Sequence, residues 1–298
     1  MVQIRVSSTQ TSIKVGQTGQ GQPIISNPAP VYSQPSPVPA NPHVNIRINP
    51  RPHPAPPPPV PPEPAPSVLP GVSILVSTNR PEFMDRVLDN YSRQNYQEKE
   101  LIVILNNNSM NIEHWLNRCS ALSNVQIYQQ DESRSLGECL NAGIEHCRYD
   151  YVAKFDDDDY YGPNYLQRQM QAIVSFQADI VGKSTWYLYF EKSNTLAVFS
   201  RHPENSFVNY VTGATLLIKK DVFNTIRFSA MNACEDVDFV ANCKEHGFRI
   251  YSTDRSDFVG IRRALTSSHT WQEADEHILI QCQVVAHTNN YISWANSH

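Results

Sequence analysis

Short hydrophobic runs recur between residues 71 and 265, and segments with helical spacing separate them. Four runs have the length and β-branched content of buried strands, namely residues 72–77, 100–105, 125–128 and 149–155. Between the last two runs, apolar residues from Leu136 to Cys147 recur with helical spacing. Strands that alternate with helices are typical of βαβ units. The pattern therefore predicts an α/β fold, with a mostly parallel, Rossmann-like central sheet flanked by helices.

Polar residues follow three of the four predicted strands. Thr78, Asn79 and Arg80 come after the first strand, residues 106–109 (Asn-Asn-Asn-Ser) after the second, and four aspartates after the fourth. Ligands of such sheets bind outside the carboxyl ends of the strands. We therefore expect these three segments to converge on one ligand site.

The aspartates at residues 156–159 form an uninterrupted run of four carboxylates. Like charges repel, so this run at the end of a buried strand indicates a compensating cation. Alternate residues of an extended chain share a face, which pairs Asp156 with Asp158 and Asp157 with Asp159. One such pair, together with a diphosphate, suits Mg²⁺ or Mn²⁺. A solvated acidic turn before the Gly-Pro break at residues 162–163 is the alternative.

Composition divides the chain into unequal parts. Residues 1–70 contain 19 of the 22 prolines and carry a net charge of +3. Because the net charge of the whole chain is −5, residues 71–298 carry −8. A proline-rich segment forms neither a helix nor the hydrogen-bond ladder of a β-sheet. We therefore predict that residues 1–70 are a disordered or polyproline II arm. The alternating apolar residues Val2, Ile4 and Val6 could form a short strand on a partner's edge. The alternative to a disordered arm is therefore a peptide that tethers the protein to an assembly. The other predicted parts are the main domain at 71–265 and a helical extension at 266–298, with Ile278, Leu279, Val284 and Val285 as its apolar positions.

The same composition excludes several classes of protein. The chain has no basic domain, which argues against nucleic acid as a partner. It has no run of 18 apolar residues and no apolar signal-peptide core, so we expect a cytoplasmic protein without a transmembrane segment. The six cysteines are scattered without a C-x-x-C pair, which indicates reduced structural thiols rather than a zinc or redox motif.

Several fragments, taken in order, resemble the family 2 glycosyltransferases of the GT-A fold. They lie at residues 72–81, 101–109, 140–144, 155–163, 211–220 and 235–239. The resemblance covers about residues 71–265. The segments Ile-Arg-Arg (261–263) and Ser-His-Thr-Trp (268–271) are similar to sporulation-associated glycosyltransferases of bacilli, which would place the protein beside a spore or surface layer.

The resemblance implies roles on the donor side of a site. Asp158 matches the metal-binding position of the D-x-D motif, and Asp156 its position near the nucleotide ribose. Thr78, Asn79 and Arg80 match the loop that wraps the base.

Two further residues are assigned to the donor side, and each of them has an alternative interpretation. Asn107 stands where the family usually has an aspartate that contacts the uracil N–H. Since an amide both donates and accepts, a UDP- or dTDP-sugar donor is the expectation, and a donor with another base is the alternative. Arg134 faces either the base or the phosphates of a donor, or it is an ordinary surface arginine.

The resemblance also implies a catalytic base and acceptor contacts. Asp236 matches the base, although acidic residues at a helix start are also a routine stabilising feature. Gly213 and Ala214 match a strand close to the acceptor, where plain packing is the alternative. His269 is a candidate third metal ligand or phosphate contact, or a structural histidine.

Together these features imply an inverting glycosyltransferase. It would move a sugar from a nucleoside-diphosphate donor to a hydroxyl of a carbohydrate or glycoprotein, with Mn²⁺ or Mg²⁺ as cofactor. The alternatives are an inactive transferase-like protein of a cell or spore surface layer, and a sugar-phosphate nucleotidyltransferase. The second of these normally has a Gly-rich basic loop, which does not follow Ser77.

Overall fold

The computed structural model describes residues 69–264 and 271–297. The predicted proline-rich arm lies outside the described residues except for Leu69 and Pro70, and His269 lies outside them as well.

Strands and helices alternate through the first half of the described chain, as the pattern predicts. The strands are β1 (Val72–Thr78), β2 (Lys99–Leu105), β3 (Val125–Gln129), β4 (Tyr151–Lys154), β5 (Tyr160–Tyr161), β6 (Ile180–Gly182), β7 (Thr185–Phe190), β8 (Thr195–Ser200), β9 (Ser206–Phe207), β10 (Leu217–Lys219), β11 (Ile250–Ser252), β12 (Phe258–Arg262) and β13 (Cys282–His287). The helices are α1 (Met84–Arg93), α2 (Ile112–Arg118), α3 (Leu136–Ile144), α4 (Tyr165–Ser175), α5 (Glu235–Glu245), α6 (Asp275–Leu279) and α7 (Tyr291–Ala295).

The larger sheet has the strand order β3-β2-β1-β4-β10-β6-β11-β9. Strand β1 lies between β2 and β4 and is parallel to both, and β2 is parallel to β3. Strand β10 enters antiparallel between β4 and β6. The predicted α/β architecture with a mostly parallel central sheet is therefore confirmed.

Both faces of this sheet are covered by helices, which explains the continuous apolar runs of its strands. Side chains of β1 and β2 alternate between two buried clusters, because successive residues of a strand point to opposite faces. Leu101 and Val103 join the cluster of α1, α2 and α4, whereas Ile102 and Ile104 join the cluster of α3 and α5.

A second sheet, which the pattern did not predict, has the order β13-β8-β7-β12-β5. Strand β12 is parallel to β7 and antiparallel to the short β5, which directly follows the acidic run. This pairing carries the end of β12 to the carboxyl end of β4, where the predicted site lies.

The C-terminal segment differs from the expectation in part. Ile278 and Leu279 lie in α6, but the helix expected at Val284 and Val285 is wrong because both residues lie in β13. That strand pairs antiparallel with β8 along the edge of the second sheet. The edge of β8, with which β13 pairs, lies far away in sequence. The spacing of apolar residues within residues 272–298 therefore could not reveal this strand.

Two further expectations concern the whole chain. All six cysteines are free thiols, as their scattered spacing predicts. Among the described residues, no helix is both long and apolar enough to cross a membrane.

Candidate active site

The three polar loops that follow β1, β2 and β4 meet at one edge of the larger sheet. Asn107 Nδ2 donates a hydrogen bond to the carbonyl oxygen of Asn79 at 3.1 Å. Thr78 Oγ1 donates to Asp157 Oδ2 at 2.5 Å, across 79 positions of sequence. The parallel order of these strands brings their carboxyl ends together, which is the convergence that the topology predicted.

Asp157 and Asp159 point into the protein. Asp157 is 4% exposed and accepts hydrogen bonds from Thr78 and from Nε and Nη2 of Arg80. Asp159 is 8% exposed and accepts a bond from the backbone N–H of Ile261 at 2.8 Å. Burial raises the pKa of both carboxyl groups, and the charges of neighbouring aspartates add to the rise at each. The bonds from Arg80 and Thr78 oppose the rise of the pKa at Asp157.

Asp156 and Asp158 point towards solvent. The Asp156 side chain is 37% exposed, and its Oδ1 accepts a hydrogen bond from Lys154 Nζ at 2.5 Å. The Asp158 side chain is 15% exposed, and its Oδ2 forms ion pairs with Arg263 and, at 3.2 Å, with Arg80. The predicted alternation of the four carboxylates is therefore what the structure shows.

Lys154 connects the acidic run to a second group of carboxylates. It is the last residue of β4, is 5% exposed, and lies within the electrostatic reach of Glu235 and Asp236. Burial alone would lower the pKa of Lys154, but the charges of Asp156, Glu235 and Asp236 outweigh it and raise the pKa. Residues about 80 positions apart in sequence thus share one buried ammonium group.

Asp236 lies in the first turn of α5, where the helix dipole stabilises a negative charge. It is half-buried, and its Oδ1 accepts a bond from the backbone N–H of Val237 at 2.8 Å. Its neighbour Glu235 is 4% exposed; burial raises the pKa of Glu235, and the charge of Lys154 opposes that rise.

Gly213 packs directly against the Asp236 carboxylate. A Cβ atom at residue 213 would lie 1.7 Å from Asp236 Oδ2, so a side chain there would displace the carboxylate. Gly213 and Ala214 were expected in a strand, but they lie in a 3-10 turn, Gly213–Thr215, just before β10. The turn brings the backbone closer to Asp236 than a side chain at residue 213 would permit.

The Tyr161 hydroxyl joins the acidic run to this turn. It donates a hydrogen bond to the carbonyl oxygen of Ala214 at 2.6 Å and accepts one from the backbone N–H of Asp156 at 2.7 Å. Its ring is fully buried and stacks on Phe155 with a centroid separation of 3.7 Å. Tyr161 therefore links Asp156, predicted on the donor side, to Ala214, predicted on the acceptor side.

Two other predicted site residues, Asn107 and Arg134, have contacts outside the acidic run. Both polar groups of the Asn107 amide are used within the loops, since its Oδ1 accepts bonds from the backbone N–H and hydroxyl of Ser109. Arg134 is exposed before α3 and forms no hydrogen bond or ion pair with the acidic run among the described residues. The roles of both residues remain predictions.

Sequence reasoning did not assign Lys154, Tyr161 or Arg263 to the site. Lys154 could have been found, because residues 154, 156 and 158 share one face of an extended chain. Arg263 carried no such signal, since its contact with Asp158 spans 105 positions and depends on how β12 pairs with β5.

A divalent metal ion fits the outward carboxylates in a limited way. No group of three or more His, Cys, Asp or Glu side chains arranged to hold a metal ion occurs within residues 69–264 and 271–297. Mg²⁺, however, usually takes only one or two protein carboxylates and completes its coordination with substrate phosphates and water. Asp158 pairs with both arginines through Oδ2, so Oδ1 is the oxygen that would be offered to a metal ion. Asp156 and Asp158 could therefore supply the protein's share of such a site.

Comparison with known proteins gives one family and several relatives. The family described as "Glycosyl transferase family 2" matches residues 73–233. The O-antigen biosynthesis glycosyltransferase WbnJ of Escherichia coli is 26% identical over 165 residues, which cover 52% of this chain and 64% of that protein. The poly-beta-1,6-N-acetyl-D-glucosamine synthase of Staphylococcus aureus is 28% identical over 205 residues, which cover 61% of this chain and 48% of that protein. The chain thus spans less than two thirds of the length of these relatives.

Among solved structures, the crystal structure of S. aureus TarS residues 1–349 is similar in fold. The TM-score is 0.52 at 17% identity, and the match covers 64% of this chain and 60% of that one. A structure of the same TarS segment in complex with UDP matches with the same TM-score. The GT-A type of fold implied by the sequence fragments is confirmed by this similarity.

Proposed function

This chain belongs to glycosyl transferase family 2, and we propose that it transfers a sugar from a nucleoside-diphosphate donor to a hydroxyl acceptor with inversion at the anomeric carbon. Each named relative covers the chain in part, so activity, donor and acceptor are all elements of this proposal.

One observation carries the proposal. The acidic run and the Glu235–Asp236 pair meet around the buried ammonium group of Lys154. Burying charged groups is costly, and carboxylates gathered around one buried lysine are typical of sites that bind a ligand or carry out a reaction. A donor held at Asp156 would then lie beside Asp236.

The donor nucleotide would occupy the loops after β1 and β2. Asn79 and Asn107 would contact the base, and Asp156 would contact the ribose. Thr78 and Arg80, matched by the resemblance to the same loop, are bonded to Asp157 and would hold the loop in place. The TarS structure in complex with UDP supports a uridine nucleotide as the first donor to test. A thymidine nucleotide is the second, because Asn107 Nδ2 keeps one N–H that could donate to a carbonyl oxygen of either uracil or thymine.

Asp236 would act as the general base. Its carboxylate takes the proton of the acceptor hydroxyl while that oxygen forms a bond to the anomeric carbon. The bond between the anomeric carbon and the diphosphate breaks on the opposite side, which inverts the configuration. Gly213 permits this position of the carboxylate, and Ala214 would flank the acceptor.

The donor diphosphate would leave at the solvent-facing side of the acidic run. Asp158, with Asp156, would hold Mn²⁺ or Mg²⁺, which when bound neutralises negative charge on the diphosphate. His269 remains a predicted additional ligand. Arg80 contributes positive charge at the same place through its pairs with Asp157 and Asp158.

The test is release of nucleoside diphosphate from a panel of sugar nucleotides with Mn²⁺ or Mg²⁺. The Asp236→Asn variant should lose about 100-fold or more of the activity, the scale of general-base catalysis, at an unchanged melting temperature. Glu245→Gln neutralises an exposed carboxylate at the far end of the same helix and is the matched control. Full activity in Asp236→Asn would refute its role as base. Inactivity of the wild type across the panel would support the alternative, a transferase-like protein without catalysis.

A further inference from the structure

Two buried tyrosines hold successive carbonyl groups of the turn that packs against Asp236. Tyr161 Oη donates to the carbonyl oxygen of Ala214 at 2.6 Å, and Tyr165 Oη donates to that of Thr215 at 3.0 Å. The two rings are buried and meet edge to face, with their centroids 5.0 Å apart. Burial raises the pKa of both hydroxyl groups, so both stay protonated and able to donate at neutral pH. The turn is therefore tied to β5 and to the first turn of α4.

A buried glutamine supplies a second donor to one of these carbonyl groups. Gln169 lies four residues after Tyr165, on the same face of α4, and is fully buried. Its Nε2 donates to Tyr165 Oη and to the carbonyl oxygen of Thr215, at 3.2 Å each. Its Oε1 accepts a bond from Thr253 Oγ1 at 2.9 Å. The carbonyl oxygen of Thr215 therefore accepts hydrogen bonds from two side chains of one helix.

Lys183 determines the direction of this hydrogen-bond network. It is buried, and its Nζ donates to Thr253 Oγ1 at 3.3 Å. An ammonium group can only donate, so the Thr253 oxygen accepts from it and the single Thr253 hydroxyl hydrogen is available to Gln169. The Gln169 amide therefore turns its Nε2 towards Tyr165 and Thr215. Burial lowers the pKa of Lys183 to about 8, which leaves the ammonium form predominant at pH 7.

The turn held in this way forms one wall of the space that the Asp236 side chain occupies. A Cβ atom at Gly213 would lie 1.7 Å from Asp236 Oδ2 and 2.4 Å from Asp236 Cβ, so the backbone of the turn lies alongside the whole side chain. Thr215 Oγ1 anchors the turn further, because it accepts from the backbone N–H of Lys183 and donates to the carbonyl oxygen of Thr212, at 2.9 Å each. A movement of the turn would therefore move the surface against which the Asp236 carboxylate packs.

We propose that Tyr165 and Gln169 are positioning residues for glycosyl transfer. By holding the carbonyl group of Thr215, they keep the Gly213–Thr215 turn against Asp236, and so keep its carboxylate where it takes the acceptor proton. The inference rests on the proposed function, and it gives a role in the reaction to two buried residues that the sequence patterns did not assign to the site. A shift of about 1 Å in a reacting group can lower a rate about 100-fold, so residues that act only through the turn can still affect the reaction.

The first test compares two tyrosine-to-phenylalanine variants of the full chain, with release of nucleoside diphosphate from the best donor of the panel as the readout. Tyr165→Phe should lower kcat about 5- to 10-fold, the scale of one hydrogen bond, and leave KM for the donor within about twofold. Tyr91→Phe is the matched control, because the buried Tyr91 also donates through Oη to a backbone carbonyl, that of Ser123 at 2.7 Å. That contact lies just before β3, at the opposite end of the strands from the site. The control should therefore lower the melting temperature as much as Tyr165→Phe does and keep kcat within about twofold of the wild type.

A second variant, Gln169→Leu, removes the other donor to the Thr215 carbonyl and the bond that Gln169 donates to Tyr165. It should lower kcat about 10- to 100-fold, again with KM for the donor within about twofold. Circular dichroism at the assay temperature checks that the variant is folded. If Gln169→Leu does not fold, Tyr165→Phe alone decides.

A double variant separates positioning of Asp236 from general support of the fold. A residue that acts through the carboxylate has nothing left to position in Asp236→Asn, so Asp236→Asn/Tyr165→Phe should have an activity within about twofold of Asp236→Asn. An equal loss in both backgrounds, or a loss of kcat in Tyr91→Phe as large as in Tyr165→Phe, would overturn the inference while the proposed function stands. A kcat that Tyr165→Phe leaves unchanged would do the same. No release of nucleoside diphosphate by the wild type across the panel would overturn both.

Discussion

Two pairs of identical side chains within the acidic run behave in opposite ways. Asp157 and Asp159 turn inward, where Thr78, Arg80 and a backbone N–H satisfy them. Asp156 and Asp158 turn outward, where their partners are the side chains of Lys154, Arg80 and Arg263. Four residues that look equivalent in the sequence therefore divide into a structural pair and a pair available to a ligand.

The difference reflects the path of the chain after β4 and the cost of burying charge. Strand β4 ends at Lys154 and residues 157–159 form bends, which turn Asp157 and Asp159 into the protein and leave Asp156 and Asp158 at the cleft. A buried carboxylate is tolerated only when fixed donors or a proton compensate it. The inward pair therefore contributes to stability, and the outward pair keeps oxygen atoms that a ligand can reach.

The largest expected effect comes from removing an outward carboxylate. Asp158→Ala should lower the rate of glycosyl transfer by about 100-fold or more. The metal ion that would neutralise the leaving diphosphate would lose one of its proposed carboxylate ligands. The melting temperature of Asp158→Ala should stay within about 2 °C of the wild type, because losing the pairs with Arg263 and Arg80 is offset by relief of the repulsion that Asp158 exerts on Asp157 and Asp159. Activity on the best donor and thermal unfolding, measured on one preparation, check both statements. Glycosyl transfer at the wild-type rate by Asp158→Ala would contradict the assignment of Asp156 and Asp158 as the pair that binds a ligand.

The next effect in size comes from the inward pair. Asp157→Ala leaves Arg80 without its main partner in a half-buried position and should cost about 2 kcal/mol, below the range for a fully buried pair because the Arg80 side chain is 27% exposed. A domain of this size would lose about 4–8 °C in melting temperature.

Asp157→Asn keeps the shape and one acceptor oxygen and is the matched variant, with a smaller expected loss. If Asp157→Ala unfolds at the wild-type temperature, the inward pair is not a structural anchor.

The smallest effect is a dependence on pH at Asp159. Its pKa is raised in the folded protein, so above about pH 4 the unfolded chain has lost a proton that the folded protein still holds. The stability from Asp159 is therefore present below about pH 4 and is lost as the pH rises through the folded-state pKa.

Asp159→Asn carries no titrating proton and keeps an acceptor for the N–H of Ile261. Its melting temperature relative to the wild type should rise as the pH increases from 4 to 7. A constant difference across that range would show that Asp159 does not titrate in this way.

Much of the central sheet could be predicted because its signal is local. The apolar runs at residues 72–77 and 100–105 are long enough to be buried on both faces, and they form β1 and β2. The second sheet was missed because β5, β12 and β13 are defined by partners elsewhere in the chain. For the same reason, Val284 and Val285 form a strand despite spacing that suggested a helix.

For the site, the sequence by itself determined that the carboxylates fall just after a buried strand, because a strand end is a property of a few consecutive residues. Their alternation matches the prediction, but it arises in a bent segment at residues 157–159 and not in an extended strand. Only the tertiary structure decided which partners they have: Arg80 for Asp157, Arg263 for Asp158, and Lys154 between Asp156 and the Glu235–Asp236 pair. These contacts join loops and strands that are mostly far apart in sequence, and their strength depends on burial and distance. Both quantities exist only once the sheets have paired and closed around the site.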